Sequence, residues 1–123
     1  MQAFNPYLPS WEYVPDGEPH VLENRVYVYG SHDHFGAPIF CVGDYVCWSA
    51  PINNLKEWRY EGVIYRKNQD PKNKLGIRLL FAPDVAQGAD GRYYLWHHRT
   101  IRQCAKMCLL RHLLLAKISI YIQ

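Results

Sequence analysis

Two carboxylates stand in matching places within two similar phrases of this 123-residue chain. "PDGEPHVLENRVYVY" occupies residues 15 to 29, and "FAPDVAQGADGRYYLW" occupies residues 81 to 96. Aligned on Arg25 and Arg92, both run from a Pro and an Asp to an Arg, then into alternating aromatic and aliphatic residues. Asp16 precedes Arg25 by nine residues, and Asp84 precedes Arg92 by eight. A carboxylate recurring at nearly the same place in two copies of one unit suggests a site, provided that the copies face a common centre. Glu18, followed by Pro19, is the alternative to Asp16 for the first position.

The elements that would carry these residues are short strands. "RVYVYGSHD" alternates strictly, with Val26 and Val28 on one face and Tyr27 and Tyr29 on the other. "APIFCVGDYVCWSA" reads as a second strand, with Gly43-Asp44 as a turn. "LKEWRYEGVIY" places Trp58 and Tyr60 on one face of a third, broken at Gly62. "DPKNKLG" is a polar loop. The second phrase then restarts the pattern, with Asp90-Gly91 as a hairpin turn before "RYYLW". One unit thus holds about four strands and repeats after 67 residues, from Arg25 to Arg92. Repetition of a four-stranded unit is the mark of a β-propeller.

Composition agrees with an all-β domain. Aromatic residues make up 15% of the chain, with ten Tyr and four Trp, and eight Gly and eight Pro punctuate it. The net charge of +3 is unevenly spread. Residues 1 to 96 carry nine Lys and Arg against all eleven Asp and Glu, whereas residues 97 to 123 carry five basic residues and no acid. The body therefore has no nucleic-acid bias. "MQAFNPYLPS" lacks the basic and apolar regions of a secretory signal, and no stretch reaches the ~18 apolar residues of a membrane span. A cytoplasmic, reducing setting is the expectation, with Cys41 and Cys47 as ordinary thiols in or beside strands.

The character changes at residue 97. "HHRTIRQCAKMCLLRHLLLAKISIYIQ" has no Gly, Pro or acid, and Ile101, Ala105, Cys108, Leu109 and Leu113 fall at roughly helical spacing. Cys104 and Cys108 with His97, His98 and His112 form no strong zinc pattern, so no metal site is expected there. Residues 1–96 and 97–123 are accordingly read as two segments. The second is a basic, helical or disordered tail outside the propeller pattern, suggestive of an aberrant ending.

With these phrases in view, the first 96 residues resemble the start of a glycoside hydrolase of family 43, the family of β-xylosidases, α-L-arabinofuranosidases and arabinanases. The matching stretches are "NPYLPSWEYVPDGEPHV", "RVYVYGSHD", "CWSAPINNLKEWRYEG" and "FAPDVAQGADGRYYL". The resemblance implies a five-bladed β-propeller, of which this chain holds one blade and part of a second. It also implies inverting hydrolysis of xylose- or arabinose-containing carbohydrates. In that chemistry the base and acid stand about 6.5–9.5 Å apart, with a water between base and sugar. Asp16 is implied as the general base, with Glu18 as fallback, and Asp84 of the "APD" motif as the carboxylate that tunes and orients the acid. The general acid, a Glu of a later blade, is absent from this chain.

His32 and Asp33 at the end of the first strand are candidates for contacts to sugar hydroxyls, or else a turn pair serving the backbone. Trp48 and Trp58 are candidates for stacking on a sugar, or else packing between blades. Some relatives hold a calcium ion in the channel; its ligands are not assigned in this chain, and no other cofactor is required. Without the acid the chain is expected to be inactive alone, and its open sheet edges favour self-association or aggregation. The alternatives are a non-catalytic carbohydrate-binding fragment and a truncated product without function.

Overall fold

The computed structural model describes residues 7–96 and the backbone of residues 97–98 and 106–110. Seven strands form two antiparallel sheets. The first sheet is a simple meander of β1 (Glu18–Leu22), β2 (Arg25–Gly30), β3 (Tyr45–Pro51) and β4 (Arg59–Tyr65), hydrogen-bonded in that order. The second orders β5 (Phe81–Gln87), β6 (Tyr93–His98) and β7 (Lys106–Leu110). A short 3-10 turn at Lys67–Gln69 is the one helical element among the described residues. The architecture is all-β, a complete four-stranded unit followed by a second.

Alternation in β2 decides how the sheets meet. Tyr27 and Tyr29 stack on one face, with ring centroids 6.1 Å apart. They join Tyr45, Cys47, Ile64 and Tyr65 of the first sheet and Leu80, Val85 and Leu95 of the second segment in one buried core. The Tyr45 hydroxyl donates to the Phe81 carbonyl, a polar tie between the sheets. Burial pushes the Tyr29 hydroxyl far above the ordinary phenol range. Val28, Trp48 and Tyr60 lie across from one another on the opposite face.

The second hairpin closes where Asp90-Gly91 predicts. Gly91 adopts φ +75°, which a side chain would resist, and Gly88 N–H donates to the Arg92 carbonyl at 2.8 Å. Asp90 caps the turn by accepting from the Tyr94 hydroxyl at 2.9 Å, a bond that holds its carboxyl below the usual range.

Three local expectations are corrected. Strand structure begins at Tyr45, not in "APIFCV", and Ile39 and Phe40 stay exposed. Cys41 takes φ +56°, which no strand accommodates. Trp58 lies just outside β4, whose ladder to β3 is irregular where Gly62 sits at φ +106°. At the tail, Lys106–Leu110 is not helical: it forms β7 and pairs antiparallel with Tyr93–His97. An open strand edge supplies hydrogen-bond partners that local helical spacing cannot outweigh. The rest of the tail expectation, including the cysteine and histidine cluster, lies outside the described residues and side chains.

Candidate active site

A cleft of about 700 Å3 opens where the first sheet's edge meets the second sheet. Asp16, Glu18 and His20 line it from one side, and Ala82, Pro83 and Asp84 from the other. The two carboxylates singled out by the repeat therefore line one cleft. Their local settings differ: Asp16 lies in the turn before β1, whereas Asp84 lies within β5, opposite Trp96.

Strand geometry explains the first wall. Glu18 pairs with Tyr29 and His20 with Tyr27, and paired residues in an antiparallel ladder point to the same face. The face that buries the two tyrosines thus carries Glu18 and His20 along the edge strand, beside β5. The His20 ring packs at 6.0 Å from that of Tyr29. Its Nε2 lies 3.0 Å from Asp84 Oδ1, although without the alignment of a hydrogen bond, and it has no hydrogen-bond partner among the described residues. Asp84 Oδ1 also accepts from the Val85 backbone N–H at 2.7 Å.

Asp16 is anchored more firmly than Glu18. The Ser31 hydroxyl, fully buried one residue beyond β2, donates to Asp16 Oδ2 at 2.6 Å. The Cys41 thiol lies 3.9 Å from the same oxygen. Burial pushes that thiol up; the Ser31 hydroxyl pulls it back, and the Asp16 and Asp33 carboxylates push it further up. Glycines let the Asp16 turn sit this close. A Cβ on Gly30 would meet Val14 Cγ1 at 2.0 Å, and one on Gly17 would meet Val28 Cγ1 at 2.7 Å.

Three of the other candidates serve the fold. Asp33 accepts from the Cys41 backbone N–H, and its own N–H donates to the Tyr13 carbonyl at 3.0 Å. His32 Nε2 lies 2.6 Å from Glu12 Oε1, and Trp48 Nε1 donates to Glu12 Oε2 at 2.9 Å. The Glu12 side chain is 2% exposed and Trp48 5%, so this network is a buried brace against the face opposite the cleft. Trp48 packs between Trp11 and Tyr60 and offers no open ring face. Trp58 differs: with Tyr7 and Leu55 it lines a smaller apolar cleft of about 360 Å3 on the far side of Gly17.

His20, Ser31, Cys41 and Glu12 were not identified as site residues from the sequence. For two of them a signal was present. Asp16, Glu18 and His20 are spaced by two, as are Tyr27, Tyr29 and Ser31, so each set shares a face of an extended segment. Among the described residues no group of three or more His, Cys, Asp or Glu is arranged to hold a metal ion. Nor is any helix among them long and apolar enough to cross a membrane.

No family model matches the chain. A xylosidase/arabinosidase of Thermoclostridium stercorarium is 66% identical over 96 residues, which cover 78% of this chain and 20% of that protein. The chain therefore spans about a fifth of that relative. The fold is similar to that of the β-xylosidase RS223, with TM-score 0.59 and 24% identity, covering 80% of this chain and 32% of that one. It is also similar to a family 43 β-xylosidase/α-arabinofuranosidase from a compost microbial metagenome, solved with xylotriose in a calcium-free form. There the TM-score is 0.58 and the identity 27%, over 86% of this chain and 33% of that one. In sequence and in fold, the N-terminal part of this chain is similar to glycoside hydrolases of family 43, of the xylosidase/arabinosidase type.

Proposed function

We propose that this chain supplies the base side of an inverting glycosidase site for xylose- or arabinose-containing carbohydrates. The observation that carries the reading is the shared cleft, with Asp16 and Asp84 on facing walls. Asp16 is the general base. Its Oδ2 is tied to Ser31, which leaves the other oxygen to accept a proton from water. Glu18 lines the same cleft but receives no side-chain bond among the described residues, whereas Asp16 accepts from Ser31, which favours Asp16. Asp84 orients the acid and, as a nearby anion, raises its proton affinity. In this proposal no residue of the chain is assigned as the acid, and leaving-group protonation, a contribution of ~10²–10⁴-fold, comes from elsewhere.

The test follows from that division of labour. A dinitrophenolate leaves without being protonated, so an aryl glycoside carrying it bypasses the acid. The chain is offered dinitrophenyl β-xyloside and α-arabinofuranoside, and alkyl glycosides of the same sugars. The expected result is slow release from the dinitrophenyl substrates alone, with inverted anomeric configuration by proton NMR, lost in Asp16→Asn. Retained configuration, or equal rates in Asp16→Asn, overturns the reading.

A further inference from the structure

We propose that Ser31 is the positioning residue for Asp16, holding Oδ2 so that Oδ1 is the oxygen that faces the cleft as proton acceptor. This rests on the reading of Asp16 as the base and adds the device that sets its orientation.

The geometry carries the inference. An Asp on an exposed turn ordinarily rotates about its side-chain bonds, and a general base working through a water needs one oxygen kept in place. Here the turn bearing Asp16 is seated on the end of β2 by two close approaches, at Gly30 and Gly17, that leave no room for a Cβ. The Asp33 N–H to Tyr13 carbonyl bond ties the segment preceding the turn to the chain beyond β2. Ser31 is 0% exposed, and its hydroxyl reaches the carboxylate at 2.6 Å, the short distance of a charge-assisted bond. The Cys41 thiol approaches the same oxygen at 3.9 Å, so both neighbours crowd Oδ2. Among the described residues no hydrogen bond reaches Oδ1. In this geometry the buried Ser31 hydroxyl directs its proton to the carboxylate.

Cys41 is a built-in reporter of where Asp16 sits. The carboxylate pushes the thiol's titration up, and the Ser31 hydroxyl pulls it down. The full chain, labelled with carbon-13 at the cysteine Cβ, is followed by NMR through an alkaline titration. Wild type, Ser31→Ala and Ser31→Thr are each compared with and without Asp16→Asn. In wild type, Asp16→Asn lowers the Cys41 midpoint. In the Ser31→Ala background that drop shrinks to less than about half, because a carboxylate no longer held swings away from the thiol. Ser31→Thr keeps the hydroxyl and restores the full drop. The full drop persisting in Ser31→Ala overturns the proposal, as does no drop in wild type.

Cys47, buried on β3 and subject to Glu61 rather than Asp16, keeps its own midpoint in every folded variant. If Cys47 shows that Ser31→Ala has lost the fold, the Ser31 hydroxyl proton decides. A slowly exchanging resonance in wild type, lost in Asp16→Ala, supports the proposal, and its absence in wild type overturns it. None of these readouts requires turnover. If the coupling is found but Asp16→Asn leaves glycoside hydrolysis unchanged, the positioning stands and the reading of Asp16 as base falls.

Discussion

His20 Nε2 lies 3.0 Å from Asp84 Oδ1, joining the edge strand of the first sheet to the first strand of the second across the cleft. The carboxylate is 63% exposed, so water and salt screen the pair. His20→Ala is expected to lower stability by less than about 1 kcal/mol, measured by urea unfolding. The loss should shrink further at high salt. A loss that is large and insensitive to salt would mean that the ring acts through packing on Tyr29.

The approach of Val14 to β2 makes Gly30 a steric requirement. Gly30→Ala places a methyl 2.0 Å from Val14 Cγ1 and should destabilise by about 1–3 kcal/mol. Displacement of the Asp16 turn should accompany the loss. Circular dichroism melts give the first quantity, and the Cys41 titration reports the second.

Trp48 tests the assignment of a candidate sugar platform to the fold. Trp48→Phe keeps most of the ring but leaves buried Glu12 without the indole N–H. The expected cost is about 1–3 kcal/mol, with no change in xylo-oligosaccharide binding by calorimetry. A stable variant that lost sugar binding would return Trp48 to the site.

The buried thiols set an alkaline limit. Burial disfavours the thiolate, so the native state holds the Cys41 and Cys47 protons more tightly than the unfolded chain does. Their contribution is fully present below the unfolded thiol value and is lost as pH rises through the raised folded ones. Melting temperature should therefore fall as pH climbs beyond about 8.5. A colorimetric disulfide reagent at neutral pH should modify both thiols only after denaturant is added. Fast modification of Cys41 or Cys47 in the native chain, located by peptide mapping, would contradict this.

Glu23, in the connection between β1 and β2, adopts φ +54°, a conformation that costs a residue with a Cβ. Glu23→Gly should stabilise the hairpin by about 0.5–1 kcal/mol, the relieved strain less the added freedom of the unfolded chain. Equilibrium unfolding decides the sign.

The part of this protein that depends on near neighbours was legible in the chain itself. Strict alternation in "RVYVY" placed Tyr27 and Tyr29 on the buried face, because successive side chains of a strand point to opposite sides. Asp90-Gly91 announced its hairpin because only a glycine-like backbone closes that turn. The recurrence of the two phrases led to a cleft shared by Asp16 and Asp84. Local pattern misled where distant partners decide. "APIFCV" is apolar enough for a strand, but Cys41 turns the backbone to positive φ and the Asp33 carboxylate takes up its N–H. Lys106–Leu110 has helical spacing, but β6 offers it an edge to pair with.

Strand periodicity, the turns, the repeat and the two carboxylates could be read along the chain, since each depends on near neighbours in a turn or strand. Which groups flank them follows from the packing of distant segments. It set the Ser31 hydroxyl against Asp16, His20 against Asp84 and Glu12 beneath Trp48. Those contacts join segments up to 64 residues apart in number, His20 to Asp84, and are fixed by the packing of one sheet on another. No local rule of spacing encodes that packing.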